Sequence, residues 1–89
     1  MEHGFTRHAR RKMHELGLSV NEINAVVGAN EVIERYEARE GMLLYAVVHS
    51  REIHMSVVRQ RDPPVTLVTT VYEVDRTVFP DGRTRRRTP

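Results

Sequence analysis

A small set of side chains in this chain of 89 residues has the chemistry to cut RNA without a metal ion. Such a reaction needs a base for the 2′-hydroxyl proton, a cation for the phosphate charge and an acid for the leaving oxygen. Histidine, arginine and tyrosine suit these tasks. His8 and Arg11 lie one helical turn apart, and the later candidates are His54, Arg59 and Tyr72. We expect these residues to form a catalytic site.

Other residues would hold RNA without reacting with it. Aromatic rings stack on the bases of single-stranded RNA, and arginines pair with its phosphates. The residues assigned to this role are Arg7, Arg10, Tyr45, Arg61, Arg85 and Arg86. Neither a cofactor nor a metal ion is predicted. The chain has no cysteine, and His8 and His14 are six residues apart, on different faces of a helix.

The net charge of +2 conceals an uneven distribution along the chain. Residues 1–18 carry +2, residues 19–75 carry −4 and residues 76–89 carry +4. Clustered arginine and lysine are typical of proteins that bind a polyanion. The alternative is a solvated helix face with a disordered tail, since arginine-rich tails are common. We predict one domain over residues 1–82 and a basic, disordered tail over residues 83–89.

The composition fits one small soluble domain. No apolar run approaches the roughly 20 residues of a membrane span, and the N-terminus lacks the apolar core of a signal peptide. The absence of cysteine fits a reducing compartment. We therefore expect a cytoplasmic protein without membrane contact.

Two short helices are predicted in the N-terminal third of the chain. Thr6 is the expected N-cap of the first helix, and Gly17 ends it. Its apolar stripe is Phe5, Ala9, Met13 and Leu16. Ser19 and Glu22 form the S-x-x-E pattern of a capping box ahead of the second helix. The expected core residues of that helix are Val20, Ile23 and Val27.

Apolar residues then recur with a period of two, which indicates strands. The runs are Val32 to Arg39, Met42 to His49, Glu52 to Gln60 and Val65 to Val74. The stretch Asp62-Pro63-Pro64 interrupts them, since proline lacks the hydrogen-bond donor of a ladder. Val78-Phe79 is assigned to a short edge piece. The predicted fold is α+β, with two N-terminal helices packed on one face of a three- to four-stranded antiparallel sheet.

Alternation along the strands divides the predicted sheet into two faces. A turn at Ser50-Arg51 would pair Val47 with His54. The face under the helices is then Met42, Leu44, Ala46, Val48, Ile53, Met55 and Val57, joined by Val65, Leu67, Thr69 and Val71. The open face is Tyr45, Val47, His49, His54, Ser56, Gln60, Thr70 and Tyr72. The register of the first strand stays open, and we expect Tyr36 rather than Arg35 in the core.

Short motifs along residues 5–74 resemble a family of uncharacterised bacterial domains. The first residues that carry the resemblance are His8-Ala9, Met13, Gly17-Leu18-Ser19, Glu22, Ile23 and Val27. The later ones are Leu44-Tyr45, Arg51-Glu52-Ile53-His54, Val57-Val58 and Thr70-Val71-Tyr72. That family is grouped with the BrnT-type and RelE-type toxins of bacterial toxin–antitoxin pairs.

The resemblance implies a helix pair on a sheet, as in RelE-like and BrnT-like toxins. It also implies endoribonuclease activity on mRNA and a small antitoxin protein that covers the active face. The chain departs from the toxin pattern in its acidic middle, and its strands lack the dense lysine and arginine set of ribosome-dependent RelE-type toxins. Ribosome-dependent cleavage is therefore less expected than the fold, because a fold does not fix a function.

Two other functions fit the same residues. The first is a non-catalytic module that binds protein or nucleic acid through the open face, with His54 as a cross-strand packing residue. The second is a regulatory domain that forms a homodimer through an exposed strand edge. Loss of RNA cleavage in a folded His54→Ala or Tyr72→Phe variant would favour catalysis over both.

Overall fold

The computed structural model describes residues 2–36, 40–61 and 64–86. Within these ranges the chain forms two helices and five strands. In chain order they are β1 (Glu2–Phe5), α1 (Arg7–Leu16), α2 (Val20–Ala29), β2 (Val32–Tyr36), β3 (Gly41–Val48), β4 (Arg51–Arg61) and β5 (Pro64–Glu73). The prediction of an α+β fold with two N-terminal helices is confirmed. No helix in the described ranges is long and apolar enough to cross a membrane.

The five described strands form one mixed sheet in the order β1-β5-β4-β3-β2. Neighbours among β2 to β5 are antiparallel, whereas β1 runs parallel to β5, with Gly4 beside Leu67. The prediction of three to four antiparallel strands is therefore wrong in strand number and in direction. β1 has only 4 residues, too few to show a period of two. Its partner, β5, is the last strand along the chain. The pairing therefore joins residues far apart in sequence, and no local sequence pattern indicates it.

Local side chains fix the ends of both helices. The Thr6 hydroxyl accepts an N–H of the first turn of α1 at 3.0 Å and donates to the Thr69 carbonyl oxygen at 2.9 Å. Gly17 has φ 68°, the left-handed conformation in which its N–H reaches carbonyls of the last turn. In α2, Ser19 and Glu22 form the reciprocal bonds of a capping box. The predicted caps are confirmed.

The main core lies between the two helices and one face of the sheet. Ala9 of α1 and Ile23 of α2 are fully buried in it. The sheet contributes Met42, Leu44, Ile53, Met55, Val57, Val68 and Val71 to the same cluster. Val20, expected in the core, is 49% exposed, whereas Val26 is buried. The core faces of β3 and β4 agree with the prediction.

The tight turn between β3 and β4 lies at His49-Ser50, one residue before the predicted position. Both turn residues have positive φ, 52° and 65°, as a two-residue turn that matches the strand twist requires. Tyr45 consequently pairs with His54, the residue that was expected opposite Val47. The pairing moves by two residues, so the strand residues keep their predicted faces.

An extra residue in β5 changes the face that was predicted for half of this strand. Thr69 stands between two successive pairs that β5 makes with β4. Val68 therefore faces the helices together with Val71, whereas Val65, Leu67 and Thr69 were expected there. The prediction is wrong for Val65 and Leu67, because the bulge at Thr69 shifts the alternation by one.

A similar shift between Val32 and Glu34 settles the register of β2. Tyr36 lies on the face away from the helices, and its hydroxyl donates to the Glu34 carboxylate at 2.6 Å. The Arg35 guanidinium lies on the helix side, 3.3 Å from the Met42 sulfur. The expected orientation, with Tyr36 in the core, is wrong for the same reason as in β5.

Residues 75–86, called the C-terminal segment below, fold back across the sheet face opposite the helices. Phe79 is 2% exposed and Gly82 is buried there. Val78-Phe79 does not form the predicted edge strand, since Val78 lies in a turn. The last residues of the predicted tail, 87–89, lie outside the described residues. The sheet is thus covered by the helices on one face and by the C-terminal segment on the other.

Candidate functional site

Tyr45, His54 and Tyr72 form a row across three strands on the face opposite the helices. Tyr45 of β3 pairs with His54 of β4, and His54 pairs with Tyr72 of β5. The ring centroids are 6.1 Å and 5.8 Å apart, and both contacts are edge-to-face. Strand alternation therefore brings together three of the residues selected from the sequence. These residues are called the aromatic row below.

His54 is completely buried in the aromatic row. The Phe79 ring lies 4.4 Å from the His54 ring, and the His54 Nε2 atom is 2.7 Å from the Gly82 carbonyl oxygen. A carbonyl oxygen only accepts, so Nε2 carries the hydrogen and donates it. Nδ1 is buried and has no hydrogen-bond partner among the described residues. His54 therefore anchors the C-terminal segment in this conformation, and RNA reaches it only if that segment moves.

Tyr45 is shielded by two charged side chains. It is 6% exposed, and its hydroxyl donates to the Glu52 carboxylate at 2.6 Å. The Arg83 guanidinium lies 4.2 Å from the centre of the Tyr45 ring, within the range of a cation–π contact. An RNA base stacked on this ring would have to take the place that Arg83 occupies.

His8 is exposed at the edge of β5, beside the first turn of α1. Its Nε2 atom is 3.0 Å from the Thr70 hydroxyl oxygen, and its Nδ1 atom is 3.1 Å from an Arg11 guanidinium nitrogen. A guanidinium has no acceptor, so Nδ1 accepts from Arg11. Nε2 then carries the hydrogen and donates it to Thr70. The predicted pair of His8 and Arg11 is thus in direct contact, with Thr70 as a partner that the sequence did not announce.

The position of His8 follows from the way α1 begins. The chain leaves β1, and the Thr6 N–H then donates to the Val68 carbonyl at 3.0 Å. The Thr6 hydroxyl reaches the Thr69 carbonyl, at the bulge. Two hydrogen bonds from one residue therefore fix the first turn of α1 against β5. Thr70 follows the bulge directly and meets His8.

Tyr72 is the residue of the aromatic row that lies on β5, the strand that also carries Thr70. It shares its face of β5 with Thr70, two residues and roughly 7 Å away along the strand. Burial raises the pKa of the Tyr72 hydroxyl above its ordinary value of 10.0. The phenol is therefore protonated at neutral pH and can donate a proton or a hydrogen bond. His8, Arg11, Thr70 and Tyr72 are called the edge cluster below.

Arg59 lies away from the other candidate catalytic residues. Along β4 it points to the face opposite that of His54, and its guanidinium donates to the Asn30 side-chain oxygen at 3.1 Å. His49, expected beside His54, lies in the turn after β3, where its ring contacts the Glu22 carboxylate. The structure therefore brings neither residue to the edge cluster nor to the aromatic row.

The candidate RNA-binding arginines differ in their surroundings. Arg7 and Arg10 are exposed on α1, and the Arg10 guanidinium lies 5.6 Å from the centre of the Phe5 ring. Arg86 is exposed, and its backbone N–H donates to a carbonyl within the C-terminal segment. The side chain of Arg61 lies outside the described residues. Arg85 is engaged in an ion pair.

Arg85 binds the Glu34 carboxylate with two nitrogens, at 2.8 Å and 3.0 Å. Its guanidinium also lies 4.9 Å from the centre of the Phe79 ring. The hydrogen bonds from Arg85 lower the pKa of Glu34 and raise the pKa of Arg85. The pair therefore stays charged over the whole neutral range and ties the C-terminal segment to β2.

Sequence reasoning missed the residues that cover the aromatic row. They are Glu31, Glu34, Phe79, Gly82 and Arg83. One usable signal was Phe79, a large apolar residue in a region otherwise rich in arginine. The others were Asp75 and Asp81, whose side chains accept backbone N–H bonds two or three residues ahead, a pattern typical of ordered turns.

Residues 5–73 match the family model described as Domain of unknown function (DUF4258), so the chain belongs to this family. No curated protein and no solved structure gives a significant match. The match includes α1, the sheet from β2 to β5 and every member of the edge cluster. The C-terminal segment lies beyond the matched residues.

Proposed function

We propose that the protein is a metal-independent endoribonuclease that works through the edge cluster. The observation that supports this proposal most is the exposed His8 ring, held between the Thr70 hydroxyl and the Arg11 guanidinium. A histidine beside a cation that can bind phosphate is the minimum that RNA cleavage by its own 2′-hydroxyl requires.

In the proposed reaction, a phosphate of RNA binds Arg11 and draws its guanidinium away from His8. The Nδ1 lone pair of His8 then becomes free to take the proton of the 2′-hydroxyl. The 2′-oxygen attacks the adjacent phosphorus, and the bond to the 5′-oxygen breaks. The products are a 2′,3′-cyclic phosphate and a free 5′-hydroxyl. Thr70 keeps the His8 ring oriented throughout.

Tyr72 is the proposed proton donor to the leaving 5′-oxygen. A tyrosine hydroxyl with a pKa above 10.0 is protonated at neutral pH, so a proton is available for the leaving oxygen. The exposed arginines of α1, Arg7 and Arg10, are the proposed contacts for neighbouring phosphates. Arg59 has no part in this form of the site, because it points to the other face of the sheet.

The resemblance to BrnT-type and RelE-type toxins supports an mRNA substrate and a toxin–antitoxin role. In that role a small antitoxin protein would bind the toxin and block the site. The strands of this chain carry few lysines and arginines. We therefore propose cleavage of free mRNA rather than cleavage on the ribosome.

The test is cleavage of a single-stranded RNA by purified protein in the presence of EDTA, with a His8→Ala variant. Loss of a general base lowers the rate by about 100-fold or more. His14→Ala is the matched control, because His14 is an exposed histidine in the last turn of the same helix. Equal rates for the two variants, or an inactive wild-type protein, would disprove the proposed site.

A non-catalytic RNA-binding or protein-binding module is the second candidate function. It is favoured by the burial of His54, which removes the central residue of the aromatic row from solvent. A module of this kind would bind single-stranded RNA without cutting it. The length of the RNA would therefore stay unchanged in the same assay. A homodimer through a strand edge would appear as a doubled mass in the same preparation.

A further inference from the structure

We infer that the C-terminal segment is a movable cover over the aromatic row, and that RNA opens it by taking Arg83 and Arg85 from their glutamate partners. The inference rests on the proposed function and adds its regulation. In the closed state His8 and Arg11 are exposed, whereas Tyr45 and His54 are buried. In the open state the aromatic row becomes a surface on which bases of the bound RNA stack.

The cover closes the aromatic row completely at its centre. Phe79 packs on the His54 ring, and Gly82 accepts the His54 hydrogen bond. Arg83 lies over Tyr45, so a cation already occupies the stacking position of that ring. The same aromatic faces are the ones that single-stranded RNA requires. The segment and RNA therefore compete for one surface.

Two ion pairs fasten the end of the cover. Arg83 binds Glu31 at 2.9 Å, and Arg85 binds Glu34 at 2.8 Å. Both arginine side chains are about half exposed, at 53% and 52%, so a dissolved anion can reach them. Phosphate offers a guanidinium the same two-pronged geometry as a carboxylate. A polyanion such as RNA therefore competes directly with Glu31 and Glu34 for the two arginines.

The cover is built as a separate unit. The backbone N–H groups of Phe79, Gly82 and Arg86 all donate to carbonyls inside the segment. Among the described residues, no backbone N–H of the segment donates to the sheet. The segment is held to the rest of the molecule by side chains and by the Gly82 carbonyl. It can therefore lift without breaking the hydrogen-bond ladder of the sheet.

The family match gives an independent indication. The match to the DUF4258 model ends at residue 73, before the cover begins. The elements that carry the edge cluster are inside the domain, whereas the cover is outside it. The cover is therefore not part of the matched domain, and it lies on the face that the proposed RNA substrate would use.

The test compares the full chain with an E31Q/E34Q variant by amide hydrogen exchange. A lifted segment loses its packing on His54, so its internal turn hydrogen bonds open as well. Loss of the two ion pairs should therefore speed the exchange of the Phe79 and Gly82 amides by roughly 3- to 10-fold and leave the β4 amides unchanged. E15Q/E73Q is the matched control, since it removes two other exposed ion pairs with the same change of charge.

A single-stranded DNA oligonucleotide then tests the competition in the wild-type protein, because it lacks the 2′-hydroxyl and cannot be cleaved. Its binding should accelerate exchange at Phe79 and Gly82. If these amides exchange only as fast as the β4 core in both proteins, the segment is a permanent part of the core and the inference is wrong. If the oligonucleotide slows their exchange, nucleic acid binds over a closed segment, and the inference is again wrong.

The two proposals fail in different ways. An open cover without RNA cleavage would refute the endoribonuclease and keep the cover. RNA cleavage with no change at Phe79 and Gly82 would keep the endoribonuclease and refute the cover. If both hold, the E31Q/E34Q variant cleaves RNA faster than the wild-type protein, whereas E15Q/E73Q does not.

Discussion

The two histidines of interest differ in what surrounds their rings. His8 is exposed, and both of its nitrogens have partners, of which Arg11 is the one that a phosphate could displace. His54 is buried, with one hydrogen bond to the Gly82 carbonyl and one nitrogen without a partner in the described chain. A buried polar atom without a hydrogen bond costs about 1–3 kcal/mol. The packing of Phe79 and the tyrosines must offset this cost, so His54 is first a structural residue.

We predict that His54→Ala lowers the free energy of unfolding by about 2–4 kcal/mol, because it removes a buried ring and the bond to Gly82. His49→Ala should change it by less than about 0.5 kcal/mol, since His49 is an exposed turn residue. Urea denaturation of both variants measures the difference. A His54→Ala protein as stable as His49→Ala would contradict a structural role for His54.

At the scale of the element, the start of α1 contributes both to the stability of the protein and to the geometry of the edge cluster. Thr6 caps the helix and also ties it to β5, whereas Ser19 caps α2 far from the edge cluster. A comparison of variants at Thr6 and Ser19 therefore distinguishes the loss of a helix cap from the loss of the position of His8.

Thr6→Ala and Ser19→Ala should each destabilise the protein by about 1–2 kcal/mol, because each loses a helix cap. Only Thr6→Ala should also slow RNA cleavage, since His8 loses its fixed distance to Thr70. The measurements are thermal unfolding and the cleavage rate at a temperature where both variants are folded. Equal cleavage rates would indicate that the edge cluster does not depend on the position of α1.

The elements also explain how far the sequence could predict this structure. The caps of α1 and α2 depend on residues three positions apart, so a local pattern revealed them. The bulge at Thr69 depends on the pairing of β5 with β4, which leaves no mark on the alternation of either strand. The contact of His8 with Thr70 depends on that bulge and on β1. The sequence therefore indicated His8 and Arg11 as candidates but not their partner.

At the scale of the whole molecule, the C-terminal segment turns a sheet with one free face into a sheet with two covered faces. Arginine-rich composition indicated a solvated tail, but three glutamates of the acidic middle, Glu31, Glu34 and Glu52, receive arginines of this segment. The charge separation along the sequence is thus partly cancelled in space. Composition alone could not show this, because it does not indicate that residues 75–86 fold back onto the sheet and meet these glutamates.

Acid should open the C-terminal segment before it unfolds the main core. The folded-state pKa of Glu34 is lowered from 4.5 chiefly by Arg85, so its stabilising effect is complete above pH 4.5 and is lost as the pH falls through the lowered folded-state pKa. The Asp75 and Asp81 carboxyls, whose pKa values are lowered by turn hydrogen bonds, act in the same direction.

The measurement is the amide signals of Phe79 and Gly82 in NMR spectra recorded from neutral pH to about pH 3. These signals should change at a higher pH than those of β4, and the Glu34→Gln variant should show a smaller difference. A single transition for all residues would mean that the segment and the core unfold together.

The parallel pairing of β1 with β5 has a consequence for how the protein is made. β1 is synthesised first, but its partner is the last strand of the sheet, so β1 must wait on the ribosome-bound chain until residues 64–73 have emerged. Thr6 also waits, since both of its β5 carbonyl partners belong to that strand. The edge cluster can therefore assemble only after β5 has left the ribosome. Under the proposed function, the nascent chain cannot cut the message that encodes it until β5 has been translated and has left the ribosome.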